Sequence, residues 1–247
     1  IYLSIYYLSI IYLSIYLSIY LSIYLSIYLS IHIMKSAPHH RPYMASLQED
    51  GKHLCGGFLI TAQWVLSAAH CLEETHAASK PRPPSHVTSK PHPQIRPHPQ
   101  KFKSHPWPAV LGSHVRILPY QTVNNDVPEH TRCEVAGWGI ISNTGKKPDK
   151  LQFVQLSIID RNQCNMRRYH DGSVTENMMC AESKKKDSCK GDSGGPIVCN
   201  GTAEGIVTTG STVCGNWRKP GIYTRTAPYV SWINSTIEST IESTTSP

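Results

Sequence analysis

Eight cysteines run from Cys55 to Cys214, and no two of them form a Cys-x-x-Cys pair. An even count without metal-ligand spacing points to disulfides formed in an oxidising compartment and argues against a zinc site. Several lie inside short apolar runs bounded by glycine or polar residues, a strand pattern. His53-Leu54-Cys55-Gly56-Gly57-Phe58-Leu59-Ile60, Cys133-Glu134-Val135-Ala136-Gly137 and Ile197-Val198-Cys199 are of this kind. Arg41–Leu47 reads as a further strand turning at Glu49-Asp50-Gly51-Lys52, and Trp64–Ala68 runs into a turn at His70-Cys71. Leu151–Ile158 alternates as a half-buried strand does. Gly205–Thr208 and Gly221–Thr224 add two more, and Pro228–Ile233 starts a closing helix with proline in its first turn. A chain of 247 residues has room for one large all-β domain or two small barrels.

The formal charge is +7. The lysines and arginines are scattered apart from Lys146-Lys147 and Lys184–Lys186, with no interleaved aromatic residues. This is the pattern of solvated loops, not of a nucleic-acid surface.

The chemistry concentrates in Asp187-Ser188-Cys189-Lys190-Gly191-Asp192-Ser193-Gly194-Gly195-Pro196. Ser193 sits among small residues that let backbone N–H groups converge on one point. A serine hydroxyl there can attack a carbonyl, and the amides of Gly191 and Ser193 can hold the oxygen that becomes negative. Asp187 places a carboxylate where a cationic substrate side chain could dock.

This string resembles the nucleophile loop of chymotrypsin-fold, trypsin-like serine proteases, the family of the Ser-His-Asp triad. Ser67-Ala68-Ala69-His70-Cys71 is similar to the segment that carries the family's catalytic histidine. The resemblance covers residues 41–73 and 111–234. It implies an all-β fold of two six-stranded antiparallel β-barrels with a C-terminal helix, the first barrel incomplete here, and a serine-type endopeptidase. It implies Ser193 as nucleophile, His70 as general base, and the amides of Gly191 and Ser193 as oxyanion donors. It places Asp187 at the base of a pocket for Arg or Lys, with Gly210 and Gly221 as walls kept open by their lack of side chains. Thr208-Thr209-Gly210 departs from the Ser-Trp-Gly of digestive relatives, which implies a narrow substrate range.

Eight cysteines allow roughly a hundred pairings, and the resemblance selects one scheme. It implies Cys55–Cys71, Cys133–Cys199, Cys164–Cys180 and Cys189–Cys214. Closing the loop from Cys55 to Cys71 would contribute roughly 3 kcal/mol and hold His70 against the barrel. Within the family, Trp138-Gly139-Ile140, Cys180-Ala181-Glu182-Ser183, Asp187–Lys190 and Lys219–Arg225 look like the complement factor D branch. That likeness implies secretion and cleavage after Arg in a protein substrate, complement factor B; the chain is expected to be an extracellular monomer with no cofactor and no metal.

Residues 74–110 form a divergent insert. Between Pro81 and Pro108 stand nine prolines and four histidines, which predicts a disordered or polyproline-like loop. The family's catalytic Asp belongs to this part of the chain, yet no Asp occurs between Asp50 and Asp126. Glu73 and Glu74 follow His70 too closely to reach behind its ring, and Asp126 lies in a turn. Asp192 corresponds to a carboxylate that pairs in the family with a freshly cut N-terminal amine, but Ile33–His40 has no Ile-Val-Gly-Gly-like start. These departures predict a zymogen-like, inactive resting site and little or no activity in this chain. They also keep a second reading in view, a catalytically inactive homologue that binds partners.

Residues 1–37 are expected to be a low-complexity segment outside any folded domain. The unit Ile-Tyr-Leu-Ser repeats through the first 31 residues, and the four bases ATCT read in triplets spell the same unit, as translated microsatellite DNA would. The protease domain is expected to span 38–234, and residues 235–247, another four-residue repeat, to be a disordered tail. Asn200-Gly201-Thr202 and Asn234-Ser235-Thr236 match the N-glycosylation pattern.

Overall fold

The alternation in the second half of the chain builds a closed barrel. In the computed structural model, which describes residues 34–49, 51–71, 97–101, 108–142, 144–182, 188–209 and 219–245, strand β7 (Gln152–Ile159) buries Val154, Leu156 and Ile158 and turns Gln155 outward. It pairs antiparallel with β6 (Arg132–Gly137), which places Val135 opposite Val154. From β6 the order continues through β9 (Pro196–Cys199), β10 (Thr202–Thr209), β11 (Gly221–Arg225) and β8 (Met178–Glu182). The pairing of β8 with β7 then closes six strands on themselves. Val135, Leu156, Met179, Ile197, Val207 and Tyr223 fill the interior. Closure leaves no unpaired edge around the ring.

The first sheet has four described strands in the order β2 (Met44–Glu49), β3 (Lys52–Leu59), β4 (Trp64–Ala68) and β5 (Pro97–Lys101). Phe58, Trp64 and Leu66 are buried on it together with Leu118, Ile206 and Ile233. Strand β5 corrects the expectation of a structureless Pro-rich block, since Pro97–Lys101 pairs along the length of β4. Pro97 and Pro99 are two apart, so their missing N–H groups fall on one side of the strand. An edge strand needs donors on only one side.

Two further boundaries differ from the expectation. Met34 and Lys35 form a short β1 paired with Phe153 and Gln152, so the folded unit takes in residues assigned from the sequence to the low-complexity segment. The amide of Ser36 donates to the carbonyl of Leu151, and Arg41 anchors the segment from behind. The Arg41 guanidinium donates to Glu134 Oε1 at 2.7 Å and to Ser36 Oγ at 2.8 Å, and lies over the Phe153 ring. At the other end, Pro228 sits in a 3-10 turn (Ala227–Tyr229) that leads into helix α2 (Val230–Thr245). The helix therefore runs through most of the segment expected to be a disordered tail. No Gly or Pro interrupts it, and Ile233 and Ile237, four apart, meet the first core on one face. Helix α1 is a single turn, Arg161–Cys164, capped by the Asp160 carboxylate on the Gln163 amide.

Candidate active site

Residues 188–195 cross between the two sheets, and their backbone bonds follow a pattern. The amide of Asp192 donates to Cys189 O, that of Gly194 to Val207 O, and that of Gly195 to Asp192 O, all at 2.8–3.0 Å. Among the described residues, the amides of Gly191 and Ser193 have no acceptor. Two N–H groups two residues apart are thus left open, while the amides of Asp192, Gly194 and Gly195 anchor the loop. Both residues are half-buried, so the two donors face accessible space where a substrate oxygen can reach them.

Positive φ angles of 98° at Gly191 and 85° at Gly194 shape the turn. At Gly194 no other residue fits, because a Cβ would stand 2.2 Å from Ser67 Oγ and 2.3 Å from Gly56 O. Ser67, buried on β4, donates to Gly56 O, and the amide of Gly56 donates to Ser193 O at 2.8 Å. The first sheet therefore holds the Ser193 backbone directly.

His70 begins the turn after β4. The disulfide Cys55–Cys71 spans 16 residues around it, and an imidazole nitrogen lies within 4.8 Å of both sulfurs. Cys71 Sγ in turn touches Ser193 O at 3.8 Å. The imidazole and the Ser193 backbone therefore flank the same sulfur. Sulfurs joined in a disulfide offer no thiolate, so this cluster does not suit a metal ion.

The Asp192 side chain turns away from Ser193. Its Oδ1 accepts from the Gly139 amide and its Oδ2 from the Cys189 amide, each at 2.8 Å. The carboxylate lies against the bare α-carbons of Gly137 and Gly139, where a Cβ would overlap it. Burial pushes its pKa up to about 6, and the two amides oppose the shift. No cation pairs with it among the described residues.

One participant was not singled out from the sequence. His53 Nε2 stands 2.8 Å from Gly191 O, and His53 Nδ1 stands 2.8 Å from Ser46 Oγ. A carbonyl can only accept, so Nε2 carries the proton and Nδ1 of the neutral ring accepts from Ser46. Gln48 Nε2 donates to Ser46 Oγ at 3.1 Å, which completes a one-way chain. Burial holds the His53 pKa below the ordinary histidine value; the Gly191 carbonyl opposes the shift and Lys147 adds to it. The signal in the sequence was faint. Ser46 and His53 come together because the β2–β3 register slips between Leu47 and Gln48, and a bulge re-aims side chains.

Ser188 Oγ lies 3.4 Å from Tyr223 OH in the buried floor behind the loop. Gly221 is buried at the start of β11 opposite Ala181. Disulfides join Cys133 to Cys199 and Cys164 to Cys180. Cys189 is disulfide-bonded as well. Asp187, Gly210, Cys214, Glu73 and Glu74 lie outside the described residues.

The pattern of the family described as Trypsin matches residues 31–233. The chain belongs to the trypsin family of serine endopeptidases. Granzyme M of Rattus norvegicus is 37% identical over 226 residues, covering 82% of this chain and 87% of that protein. Trypsin-4 of Rattus norvegicus is 38% identical over 222 residues, with 81% and 86% covered. Among solved structures, mouse neuropsin, a serine protease expressed in the limbic system of the brain, superposes with a TM-score of 0.63 at 30% identity. That match covers 82% of this chain and 97% of neuropsin. The trypsin-family fold accounts for the closed second barrel and for the helix that ends the domain. Among the described residues no helix is long and apolar enough to cross a membrane.

Proposed function

We propose that this chain is a secreted, monomeric serine endopeptidase that cleaves after Arg or Lys, with Ser193 as nucleophile and His70 as general base. The observation that carries the reading is the pair of acceptor-free amides at Gly191 and Ser193, set in a loop that the amides of Cys189, Asp192, Gly194 and Gly195 anchor. Ser193 Oγ attacks the scissile carbonyl and gives its proton to His70. The carbonyl oxygen becomes negative between the two amides, which need not reorganise to receive it. Collapse expels the amine, which takes the proton from His70, and water then releases the acid by the same steps in reverse. Asp187 receives the cationic side chain, and Gly210 and Gly221 leave room for it.

A finer reading, restriction to complement factor B in the manner of factor D, rests on four stretches of sequence. Cleavage assays on peptides that differ only at the residue before the scissile bond test the Arg/Lys preference. Turnover of Arg and Lys peptides well above Leu and Met peptides supports it, and the reverse order overturns it. Cleavage of purified factor B at a single Arg bond, with slow turnover of small Arg peptides, supports the finer reading.

The absence of any Asp between Asp50 and Asp126 favours a second reading, a binding homologue without turnover. In the triad template, loss of the orienting Asp costs about 10⁴ in kcat, roughly 5.5 kcal/mol of barrier. A folded chain whose Ser193 resists active-site phosphonates supports that alternative.

A further inference from the structure

Two sequons stand in the chain, and the fold treats them differently. Asn200 and Gly201 form the two-residue turn between β9 and β10, where Thr202 pairs with Cys199. Their φ angles are 50° and 81°. Two consecutive positive φ values define the hairpin turn that Asn-Gly is best suited to make. Asn200 is exposed, and a Cβ built on Gly201 meets nothing within 4 Å. Among the described residues neither the Asn200 carboxamide nor the Thr202 hydroxyl has a hydrogen-bond partner. Both groups of the sequon are therefore left unengaged at the hairpin tip, with Asn200 exposed and Thr202 half-buried.

Asn234-Ser235-Thr236 is wound into α2. The Asn234 carboxamide accepts from Tyr120 OH at 3.1 Å, and the Thr236 hydroxyl donates to Trp232 O at 2.7 Å. Folding engages the Asn234 carbonyl oxygen and the Thr236 hydroxyl, while Asn234 itself stays exposed.

We infer that Asn200 carries an N-linked glycan and that Asn234 does not. In the transfer, Asn200 Nδ2 forms a bond to the anomeric carbon of an oligosaccharide supplied by a lipid-linked pyrophosphate donor. The bond from that carbon to the phosphate oxygen breaks, the lipid pyrophosphate leaves with the electron pair, and one amide proton passes to a base of the transferring enzyme. Strand β9 is four residues long, which puts the turn on the order of 13 Å from Pro196 and the Ser193 loop. A glycan there covers the exposed tip of the hairpin.

The inference rests on the secretory route and not on turnover. The test is secretion of the full chain from mammalian cells behind a heterologous signal sequence, followed by peptide-N-glycosidase treatment in heavy-oxygen water. The expected result is loss of one glycan's mass and a heavy-oxygen aspartate at position 200. Asn200→Gln should abolish the shift, and Thr202→Val, which leaves the Asn-Gly turn intact, should do the same. Asn234→Gln should leave it unchanged. A secreted, disulfide-bonded chain that shows no shift, or a shift that survives both Asn200→Gln and Thr202→Val, overturns the inference. Phosphonate labelling of Ser193 in the same material reports the protease reading separately.

Discussion

His53 Nε2 donates to the carbonyl oxygen of Gly191 across 2.8 Å, tying the β2–β3 hairpin to the loop that presents the two acceptor-free amides. The contact fixes the plane of the peptide that follows Gly191, between the two proposed oxyanion donors. His53 touches no reacting atom in this account; it is a positioning residue. His53→Ala should lower kcat by roughly tenfold to a hundredfold while KM stays within about twofold, less than the loss of a whole oxyanion donor. His53→Gln, whose amide can still donate, should retain more. Steady-state kinetics on the three proteins decides this, and a fall in Tm with unchanged kcat would show a purely structural role.

Asp192 makes stability depend on pH in an unusual direction. Its folded pKa of about 6 lies above the ordinary aspartate value. The folded state therefore favours the protonated form. The contribution is complete below about pH 4 and is lost as pH rises through about 6. Urea unfolding of the wild type and of Asp192→Asn should show the wild type losing up to about 3 kcal/mol relative to the variant between pH 4 and pH 7. The opposite slope would mean that a cation sits against the carboxylate in solution.

His53 works in the other sense. Its folded pKa is depressed, chiefly by burial, so its contribution is complete above the ordinary histidine value near 6.5 and is lost as pH falls through the folded value. Tm of the wild type relative to His53→Gln should decline on acidification below about pH 6.5. A flat difference across that range would place the ring in water.

Gly194→Ala should be far more damaging than Gly172→Ala. Both positions have positive φ, 85° and 73°. Only at Gly194 would the new methyl meet Ser67 Oγ and Gly56 O, whereas Gly172 faces open space. Strain alone costs about 1 kcal/mol, and the overlap should bring Gly194→Ala to about 3 kcal/mol or more, with loss of activity. Equal unfolding midpoints for the two variants would contradict the packing described here.

Asp126 lies between two guanidinium groups. It makes a fork with Arg161, and Arg225 Nε approaches it at 3.4 Å. Arg225 is buried and also donates to Glu176 O and Asn125 O, so removing Asp126 leaves a buried cation with carbonyl partners alone. Because Asp126 itself is half-exposed, Asp126→Asn should cost only about 1 kcal/mol. Its carboxylate pKa is lowered, first of all by the Arg161 hydrogen bond. The difference should therefore be present at pH 7 and vanish as pH falls below the ordinary aspartate range. Thermal unfolding at pH 7 and pH 3 checks both statements.

The second barrel was readable because alternation is a local property: Val154, Leu156 and Ile158 mark one face wherever the strand is placed. Pro97–Lys101 was not, because proline spacing reveals an edge strand only once the neighbouring strand is known. The helical course of residues 235–245 was hidden by a repetitive composition whose Ile spacing matters only against the first core. At the loop, the run of small residues around Ser193 could be read directly. The state of each amide could not, since it depends on Cys189, Asp192 and Val207 meeting the loop in three dimensions. The Ser46–His53–Gly191 relay was equally invisible, because it turns on a one-residue slip in register.

The most direct test of the central claim is covalent labelling of the full, folded chain with a fluorophosphonate, read by intact mass and peptide mapping. Against the little or no activity expected from the missing Asp and N-terminal start, the account predicts one adduct per chain on Ser193, abolished by Ser193→Ala and formed at least a hundredfold more slowly in His70→Ala. A folded chain that stays unlabelled, or labels at another serine, or labels equally fast without His70, would contradict it.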